Sequence, residues 1–213
     1  NLPANIKLAY LPDAGMVRLR LTATGENETK LKEEVNGEAG KLKALIGKYI
    51  YGYENDKLEV IIGRLLREQK KTLCTAESCT GGFIAHKITS VPGSSEYYMG
   101  SVIAYANEIK INELNVDMNS LEKYGAVSEQ VVISMATNTM KKFKTDYAIA
   151  CSGIAGPDGG TKEKPIGTVW IAVSDFDRTI TRKLQLGTIR GRVILETSQH
   201  ALNTLRKMLI GEL

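Results

Sequence analysis

Hydrophobic and polar residues alternate early in the chain and then recur at the spacing of a helix. Val17, Leu19 and Leu21 share one side of an extended run whose other side is polar, which is typical of a half-buried strand. A Pro-Asp-Ala-Gly sequence at 12–15 predicts the turn before it, because Pro fixes φ and Gly accepts a left-handed backbone. The predicted elements are strands at 6–11, 16–22 and 49–53 and a helix over 27–46. Residues 1–56 are therefore predicted to form a small α+β unit.

The remaining hydrophobic runs predict strands that alternate with helices. Leu58 and Ile62 begin an apolar row at helical spacing, and Asn107 and Ser128 stand where they can cap later helices. The predicted strands are 73–76, 102–105, 147–151, 169–173 and 179–186, and the predicted helices begin near 58, 83, 107, 128 and 194. Such alternation favours a central sheet covered on both faces, so residues 57–213 are predicted to form a three-layer α/β/α domain.

The composition narrows the class of protein and its chemistry. Of the 213 residues, 43% are hydrophobic and 24% are charged, as in an ordinary globular protein, and the net charge of +4 is far from that of a dedicated nucleic-acid binder. No apolar stretch approaches the ~20 residues of a membrane span and the N-terminus has no signal-peptide pattern, so we expect a cytoplasmic protein. Three cysteines without Cys-x-x-Cys spacing indicate reduced thiols, and two histidines argue against a zinc site or a Ser-His-Asp triad.

The loop after the first strand of the second unit offers a nucleophile. Ser78 falls where the strand at 73–76 runs into a helix, so its hydroxyl is expected at the positive end of the helix dipole, which stabilises a developing oxyanion. Gly81 and the glycine after it indicate close approach of a ligand or of backbone. Two alternatives are open: Ser78 is only an N-cap, or Cys79 is the nucleophile rather than a buried thiol.

The loop after the next strand offers a base. If Asn107 caps the helix, Lys110 lies in its first turn, where the dipole disfavours the ammonium and should lower the pKa of this lysine. A neutral lysine can act as the general base for a serine, and Tyr105 at the strand end is placed to relay or orient the proton. The alternative is a solvated surface lysine with no role in catalysis.

Two further segments predict binding of a polar ligand. Four glycines lie within residues 152–161, and such a loop after a strand can present backbone N–H groups to an anion or a carbonyl oxygen. The segment has neither the ending of a Walker loop nor the GxGxxG of a dinucleotide fold. Arg190 and Arg192 precede the apolar row of the last helix, where either a phosphate or carboxylate partner or an exposed basic loop explains them.

Residues 37–40 read Gly-Glu-Ala-Gly and match the GXXG motif of RNA-binding KH modules. A functional GXXG clamps phosphates, and the carboxylate of Glu38 would repel them. Residues 1–56 also carry eight acidic and eight basic side chains, which leaves no positive surplus. Nucleic acid is therefore not an expected partner.

Four blocks of residues carry a recognisable signature. They are TAESCTGG at 75–82, YANEIK at 105–110, GAVS at 125–128 and SGIAGPDGG at 152–160. In order and spacing they resemble the CinA C-terminal family, and the resemblance covers residues from about 57 to 213. Residues 1–56 resemble the KH-like middle domain of longer CinA proteins. Because the nucleotide-pyrophosphatase domain of those proteins and an initiator Met are missing, we expect this chain to be a fragment.

The resemblance implies hydrolysis of the carboxamide of nicotinamide mononucleotide to nicotinate mononucleotide and ammonia. In that scheme Ser78 is the nucleophile, Lys110 its base and Tyr105 a supporting hydroxyl. The implied substrate-binding residues are Thr80, Gly81, Ser152, Gly153, Gly156 and either Arg190 or Arg192. Helix N–H groups and the backbone at 152–153 are expected to hold the oxyanion.

The resemblance also implies a homodimer that works without a metal or another cofactor. A second hypothesis belongs to a different class: a non-catalytic module that senses a nucleotide or binds a partner in competence or damage response. The presence of Ser78, Tyr105 and Lys110 together favours the enzyme.

Overall fold

The computed structural model describes residues 2–13 and 15–213, and the chain divides into two compact units between Asn55 and Asp56. The first unit contains β1 (Ile6–Asp13), β2 (Met16–Ala23), α1 (Glu28–Ile46) and a 3-10 turn (Gly47–Tyr49). β1 and β2 pair antiparallel with Leu8 opposite Leu21. The Asn27 side chain caps α1 by accepting the N–H of Lys30 at 3.0 Å. These elements confirm a small α+β domain.

Local boundaries in this unit differ from the sequence prediction. No strand forms at 49–53 in the described chain, because Gly47–Tyr49 closes a 3-10 turn and the following residues join no ladder. β1 continues through Pro12, which the sequence assigned to the turn; an edge strand tolerates a proline. Within that predicted turn, Ala14 lies outside the described residues and Gly15 has a φ of +75°.

The GXXG sequence at 37–40 lies inside α1 rather than in a loop. A Cβ added to Gly37 or Gly40 would meet nothing within 4 Å. Glu38 is buried between them, and its carboxylate accepts a hydrogen bond from Lys41 Nζ at 2.6 Å. Because a helix engages its own backbone N–H groups, this segment does not form the loop with which KH modules clamp phosphates.

A five-stranded sheet forms the centre of the second unit. Its strands are β3 (Leu73–Glu77), β4 (Tyr98–Ile103), β5 (Tyr147–Gly153), β6 (Thr168–Ser174) and β7 (Thr179–Gln185), in the order β4-β3-β5-β6-β7. β3 runs parallel to both neighbours, whereas β5, β6 and β7 pair antiparallel in succession. Because parallel neighbours end at the same edge of a sheet, the loops after β3, β4 and β5 converge there.

Helices cover both faces of this sheet. They are α2 (Leu58–Gln69), α3 (Phe83–Thr89), α4 (Asn107–Leu114), α5 (Met118–Tyr124), α6 (Glu129–Phe143) and α7 (Arg190–Leu209). α6 packs across the strands with α4 and α5 beside it, and α7 packs on the sheet with α2 and α3. Ala76, Ala150 and Ala172 leave room for α6, whose Val132 and Met135 are fully buried against them. The predicted three-layer α/β/α arrangement is confirmed.

Element boundaries close to the converging loops need correction. β4 spans Tyr98–Ile103 instead of the predicted 102–105. Ser101 lies within this strand, and its hydroxyl accepts a 2.8 Å hydrogen bond from the Thr75 hydroxyl of β3. Asn107 is the first residue of α4 and caps nothing, since Ala106 occupies the N-cap position. α5 has no counterpart in the sequence prediction. Among the described residues, no helix combines the length and the apolar character needed to cross a membrane.

The packing of α2 on Tyr97 gives a stability test. Ala normally stabilises a helix relative to Gly by about 1 kcal/mol, but a Cβ at Gly63 would lie 2.5 Å from the Tyr97 hydroxyl, which is buried. We expect Gly63→Ala to lower the free energy of unfolding by about 1–3 kcal/mol in urea titrations. Gly37→Ala, also inside a helix but facing open space, is the matched control and should not destabilise the protein. Equal effects of the two changes would contradict this packing.

Candidate active site

Ser78 and Lys110 meet at the edge where the parallel strands end. Ser78 directly follows β3, and Lys110 lies in α4, which follows the neighbouring strand β4. The Lys110 Nζ lies 3.1 Å from the Ser78 Oγ, and the two residues are 1% and 8% exposed. The sequence prediction that this lysine contacts this serine is confirmed, whereas the alternative of a solvated surface lysine is wrong.

The burial of Lys110 shifts its protonation toward the neutral amine. Burial lowers the pKa of this lysine below its ordinary 10.5, so the predicted direction is confirmed, although the main cause is loss of water rather than the helix dipole. The Nζ also donates to the backbone carbonyls of Ala104 and Tyr105 at 2.8 and 3.3 Å. A neutral amine has two N–H bonds for those carbonyls and one lone pair, which is left to accept the proton of Ser78.

The turn that carries Ser78 is not the beginning of a helix. α3 begins at Phe83, five residues later, so the expectation of Ser78 at a helix N-terminus, as oxyanion stabiliser or as N-cap, is wrong. The Ser78 N–H donates to the Cys151 carbonyl at 3.1 Å, and the Gly81 N–H donates back to the Ser78 carbonyl at 3.1 Å. Gly81 has a φ of +61°, which explains the glycine by the turn itself.

The N–H groups at the start of α3 are already engaged. The Glu77 carboxylate accepts from Gly82, Ile84 and Ala85 at 3.1, 3.0 and 2.7 Å. The Phe83 N–H donates to the Thr80 carbonyl at 3.1 Å. The expectation that N–H groups of this helix hold an oxyanion is therefore wrong. The N–H groups of Cys79 and Thr80, in contrast, donate to no carbonyl or side-chain oxygen of the described residues.

A cavity of about 240 Å³ opens over the Ser78–Lys110 pair. Its wall consists of Ser78, Cys79, Tyr105, Asn107, Lys110, Ala126, Val127, Ser152, Gly153, Ala155 and Arg190. Six of these are sequence-predicted site residues: Ser78, Tyr105, Lys110, Ser152, Gly153 and Arg190. The predicted Thr80, Gly81, Gly156 and Arg192 do not line it. The sequence prediction did not assign Asn107 and Val127 to the site. Asn107 could have been found, because it is a polar residue just after a predicted strand.

Arg190 and Arg192 have different surroundings. Arg190 is the first residue of α7, and its guanidinium donates to the Gly156 carbonyl at 2.9 Å and to the Tyr105 hydroxyl at 2.8 Å. Arg192 instead pairs with Glu196 at 3.3 Å, one turn along the same helix. The structure thus places Arg190 at the cavity and directs the Tyr105 hydroxyl toward Arg190, while the backbone carbonyl of Tyr105 contacts Lys110.

Ser152 and Thr80 are turned toward the protein. The Ser152 hydroxyl donates to the Ala126 carbonyl at 2.8 Å, which ties the end of β5 to the segment that forms another part of the cavity wall. The Thr80 hydroxyl is buried and donates to Glu77 at 2.6 Å. Both side chains thus fix the shape of the site, and the surface of Ser152 that borders the cavity is available to a ligand.

Cys79 borders the cavity but is a poor nucleophile. Its hydrogen bond with the Cys151 thiol and its burial raise the pKa of Cys79 well above the ordinary value for a thiol. The side chain therefore remains a thiol at neutral pH, and Ser78 is the better-placed nucleophile. In residues 2–13 and 15–213, no cluster of three or more His, Cys, Asp or Glu side chains could hold a metal ion.

Two family models match this sequence. The model of the CinA C-terminal domain matches residues 55–209, and the model of the damage-inducible protein CinA KH domain matches residues 2–52. The chain belongs to the CinA C-terminal domain family. The second unit, which carries the cavity, is thus a CinA C-terminal domain, and the first is a CinA KH domain.

Individual relatives agree with this assignment. A CinA-like protein of Cytophaga hutchinsonii is 50% identical over 208 residues, which are 98% of this chain and 50% of that protein. The crystal structure of competence damage-inducible protein A from Klebsiella pneumoniae is 33% identical with a TM-score of 0.70, and covers 72% of this chain and 95% of its own. The crystal structure of a competence/damage inducible protein from Agrobacterium tumefaciens is 31% identical with a TM-score of 0.67, and covers 73% of this chain and 98% of its own. The chain spans about half the length of the curated relatives it matches.

The buried amine makes stability depend on pH. Because the pKa of Lys110 is lowered in the folded protein, the unfolded chain binds more protons between that pKa and 10.5, and stability rises with pH in this window. We expect Lys110→Met to be more stable relative to wild type at pH 7 than near pH 10.5, so that its gain in the free energy of unfolding shrinks as the pH rises. Denaturant titrations of both proteins from pH 7 to 10 measure this gain in the free energy of unfolding. Lys141→Met, at an exposed site, is the control; a gain that stays constant with pH would contradict the burial argument.

Proposed function

We propose that the CinA C-terminal domain of this chain hydrolyses the carboxamide of nicotinamide mononucleotide, with Ser78 as nucleophile and Lys110 as base. The observation that carries the proposal is the buried Nζ of Lys110, 3.1 Å from the Ser78 Oγ, with two carbonyls as its other partners. The likeness of the motifs to nicotinamide-nucleotide amidohydrolases supplies the substrate. The names of the relatives are CinA-like protein and competence/damage-inducible protein, and they say nothing of the reaction.

The proposed reaction passes through an acyl-enzyme. The Ser78 Oγ attacks the amide carbon while the lone pair of Lys110 takes the hydroxyl proton. The tetrahedral intermediate then breaks its C–N bond, and the Lys110 ammonium gives that proton to the leaving nitrogen, so that ammonia departs. Water attacks the resulting ester, again losing a proton to Lys110, and the proton returns to Ser78 as nicotinate mononucleotide leaves.

The oxyanion needs donors other than α3. In the proposal, the N–H groups of Cys79 and Thr80 serve this purpose, since they follow the nucleophile directly and donate to no oxygen atom of the described residues. The backbone of Gly153, which lines the cavity beside Cys79, lies on the same side of the site. A Cβ at Gly153 would come within 3.1 Å of the Cys79 Sγ, so a larger residue there would press on the turn.

Arg190 is the proposed partner of the substrate phosphate. Its guanidinium lies at the cavity and is anchored by the Gly156 carbonyl and the Tyr105 hydroxyl. A guanidinium held in this way presents its remaining N–H groups to a phosphate without further ordering. Tyr105 is then a positioning hydroxyl for Arg190 rather than a proton relay to Ser78.

The nucleophile and the base are tested by ammonia release from nicotinamide mononucleotide. Ser78→Ala removes the nucleophile, and Lys110→Arg keeps a cation that cannot lose its proton, so both should lose activity by a factor of about 10³ or more. Ser90→Ala and Lys141→Ala, which change exposed residues, are the matched controls and should keep wild-type rates. Wild-type rates in both site variants would refute the mechanism. A wild-type protein that binds the mononucleotide without releasing ammonia would instead favour the nucleotide-sensing module.

The two arginines test the site of the phosphate. Arg190→Ala should raise KM for the mononucleotide about 10- to 100-fold, because a charge-assisted hydrogen bond is lost. The same variant should differ little from wild type on nicotinamide riboside, which lacks the phosphate. Arg192→Ala is the matched control, since Arg192 pairs with Glu196 away from the cavity. If Arg192→Ala raised KM and Arg190→Ala did not, the assignment would be reversed.

A further inference from the structure

Glu77 is a buried carboxylate that the proposed reaction does not use. It ends β3, directly precedes Ser78 and is 0% exposed. Among the described residues no Lys, Arg or His forms an ion pair with it. Burying a carboxylate without a cation is costly, and the cost is offset only where hydrogen bonds satisfy its oxygens. The presence of a buried carboxylate directly before Ser78 therefore needs an explanation.

The hydrogen bonds of Glu77 all go to the turn after Ser78 and to α3. Its Oε2 accepts from the Thr80 hydroxyl at 2.6 Å and from the N–H groups of Gly82 and Ile84 at 3.1 and 3.0 Å. Its Oε1 accepts from the Ala85 N–H at 2.7 Å. One side chain therefore joins the end of β3, the middle of the turn and the first turn of α3.

Hydrogen bonds fix the backbone at the nucleophile and two residues after it. The Ser78 N–H is held by the Cys151 carbonyl of β5, and two residues later the Thr80 hydroxyl is held by Glu77. Glu77 satisfies the N–H groups of Ile84 and Ala85, and the Thr80 carbonyl accepts from the Phe83 N–H, so the carboxylate and the turn cap α3 together. Among the described residues, the N–H groups of Cys79 and Thr80 donate to no oxygen atom.

We propose that Glu77 is a positioning residue: its carboxylate fixes the turn at 78–82 so that the Ser78 Oγ stays against Lys110 and the N–H groups of Cys79 and Thr80 stay free for an oxyanion. This inference rests on the proposed hydrolase function. Glu77 does not line the cavity, so it acts through the turn and not on the substrate.

The proposal predicts a loss of kcat with little change in KM. Glu77→Gln keeps one carbonyl oxygen and places an NH₂ group against backbone N–H donors, which shifts the turn; a misplacement of about 1 Å can cost roughly 100-fold in rate. We expect kcat to fall about 30- to 300-fold. KM for the mononucleotide should change less than about threefold, because Arg190 remains in place.

A smaller change separates positioning from folding. Thr80→Val removes the hydroxyl and keeps the shape of the side chain, whereas Thr80→Ser keeps the hydroxyl that bonds Glu77. The valine variant should lose about 10-fold in kcat, and the serine variant should lose clearly less than the valine variant. This pair decides the matter if Glu77→Gln does not fold, and wild-type kcat in Thr80→Val would then overturn the proposal.

Asp146 provides the matched control at the other end of β3. Its carboxylate accepts from the N–H and the hydroxyl of Thr72 and from Lys71 Nζ, each at 2.8 Å. Asp146→Asn therefore makes the same carboxylate-to-amide change remote from the cavity, and it also removes an ion pair with Lys71 that has no counterpart at Glu77. It should lower the melting temperature and leave kcat unchanged. An equal loss of kcat in Asp146→Asn and Glu77→Gln would reduce the role of Glu77 to general stability and overturn the proposal.

A substrate-free readout separates this inference from the proposed function. Phenylmethanesulfonyl fluoride reacts when the serine oxygen forms a bond to sulfur, fluoride leaves and the hydroxyl proton passes to the base. The labelling rate of Ser78, followed by mass spectrometry, should fall in Glu77→Gln in parallel with kcat. If the wild type released no ammonia but Ser78 were labelled more slowly in Glu77→Gln, the substrate would be wrong and the positioning role supported. Equal labelling of folded wild type and Glu77→Gln would overturn it, and a wild type that neither releases ammonia nor reacts would overturn both proposals.

Discussion

The contact between the Lys110 amine and the Ser78 hydroxyl is the feature on which the rest of the site depends. A lysine that is 1% exposed loses the water that would stabilise its charge, and no carboxylate of the described residues bonds to it in place of that water. The carbonyls of Ala104 and Tyr105 accept hydrogen bonds from its N–H groups in either protonation state, and burial lowers its pKa. The fold therefore carries an energetic cost at this position, and the proposed role of Lys110 as base gives that cost a use.

The sheet topology explains why the polar groups meet. β3, β4 and β5 run parallel and end at one edge, and each contributes one part of the site through the loop that follows it. The two antiparallel strands widen the support for α6 and α7 instead, and α7 delivers Arg190 to the same edge. Side-chain-to-backbone bonds such as Ser152 to Ala126 and Arg190 to Gly156 then tie these loops to one another.

The sequence predicted the architecture and the meeting of the main polar side chains, because apolar runs and strand-end loops are local signals. It failed where distant groups set the local structure. Ser78 reads as an N-cap, yet α3 is capped by a carboxylate reached from the strand before the turn, and no short sequence motif records such a contact. The sequence placed β4 too late in the chain because Gly100 and Ser101 are not typical of a strand. The first half of β4 forms because it pairs with β3. Arg190 and Arg192 look alike in sequence and separate only when α7 sets their directions.

The two buried ionisable groups near the serine have opposite sets of hydrogen-bond partners. Glu77 accepts from N–H groups and a hydroxyl, which suit a carboxylate. Lys110 donates to carbonyl oxygens, which by themselves suit an ammonium, so the lowered pKa of Lys110 comes from its burial. A direct ion pair between the two would be the simpler way to bury both charges, but it would hold the amine protonated and remove the lone pair that Ser78 needs. By satisfying Glu77 from α3, the fold keeps the acid structural and leaves the base free for proton transfer. The arrangement suits catalysis because Glu77 and Lys110 have different hydrogen-bond partners and do not pair with each other.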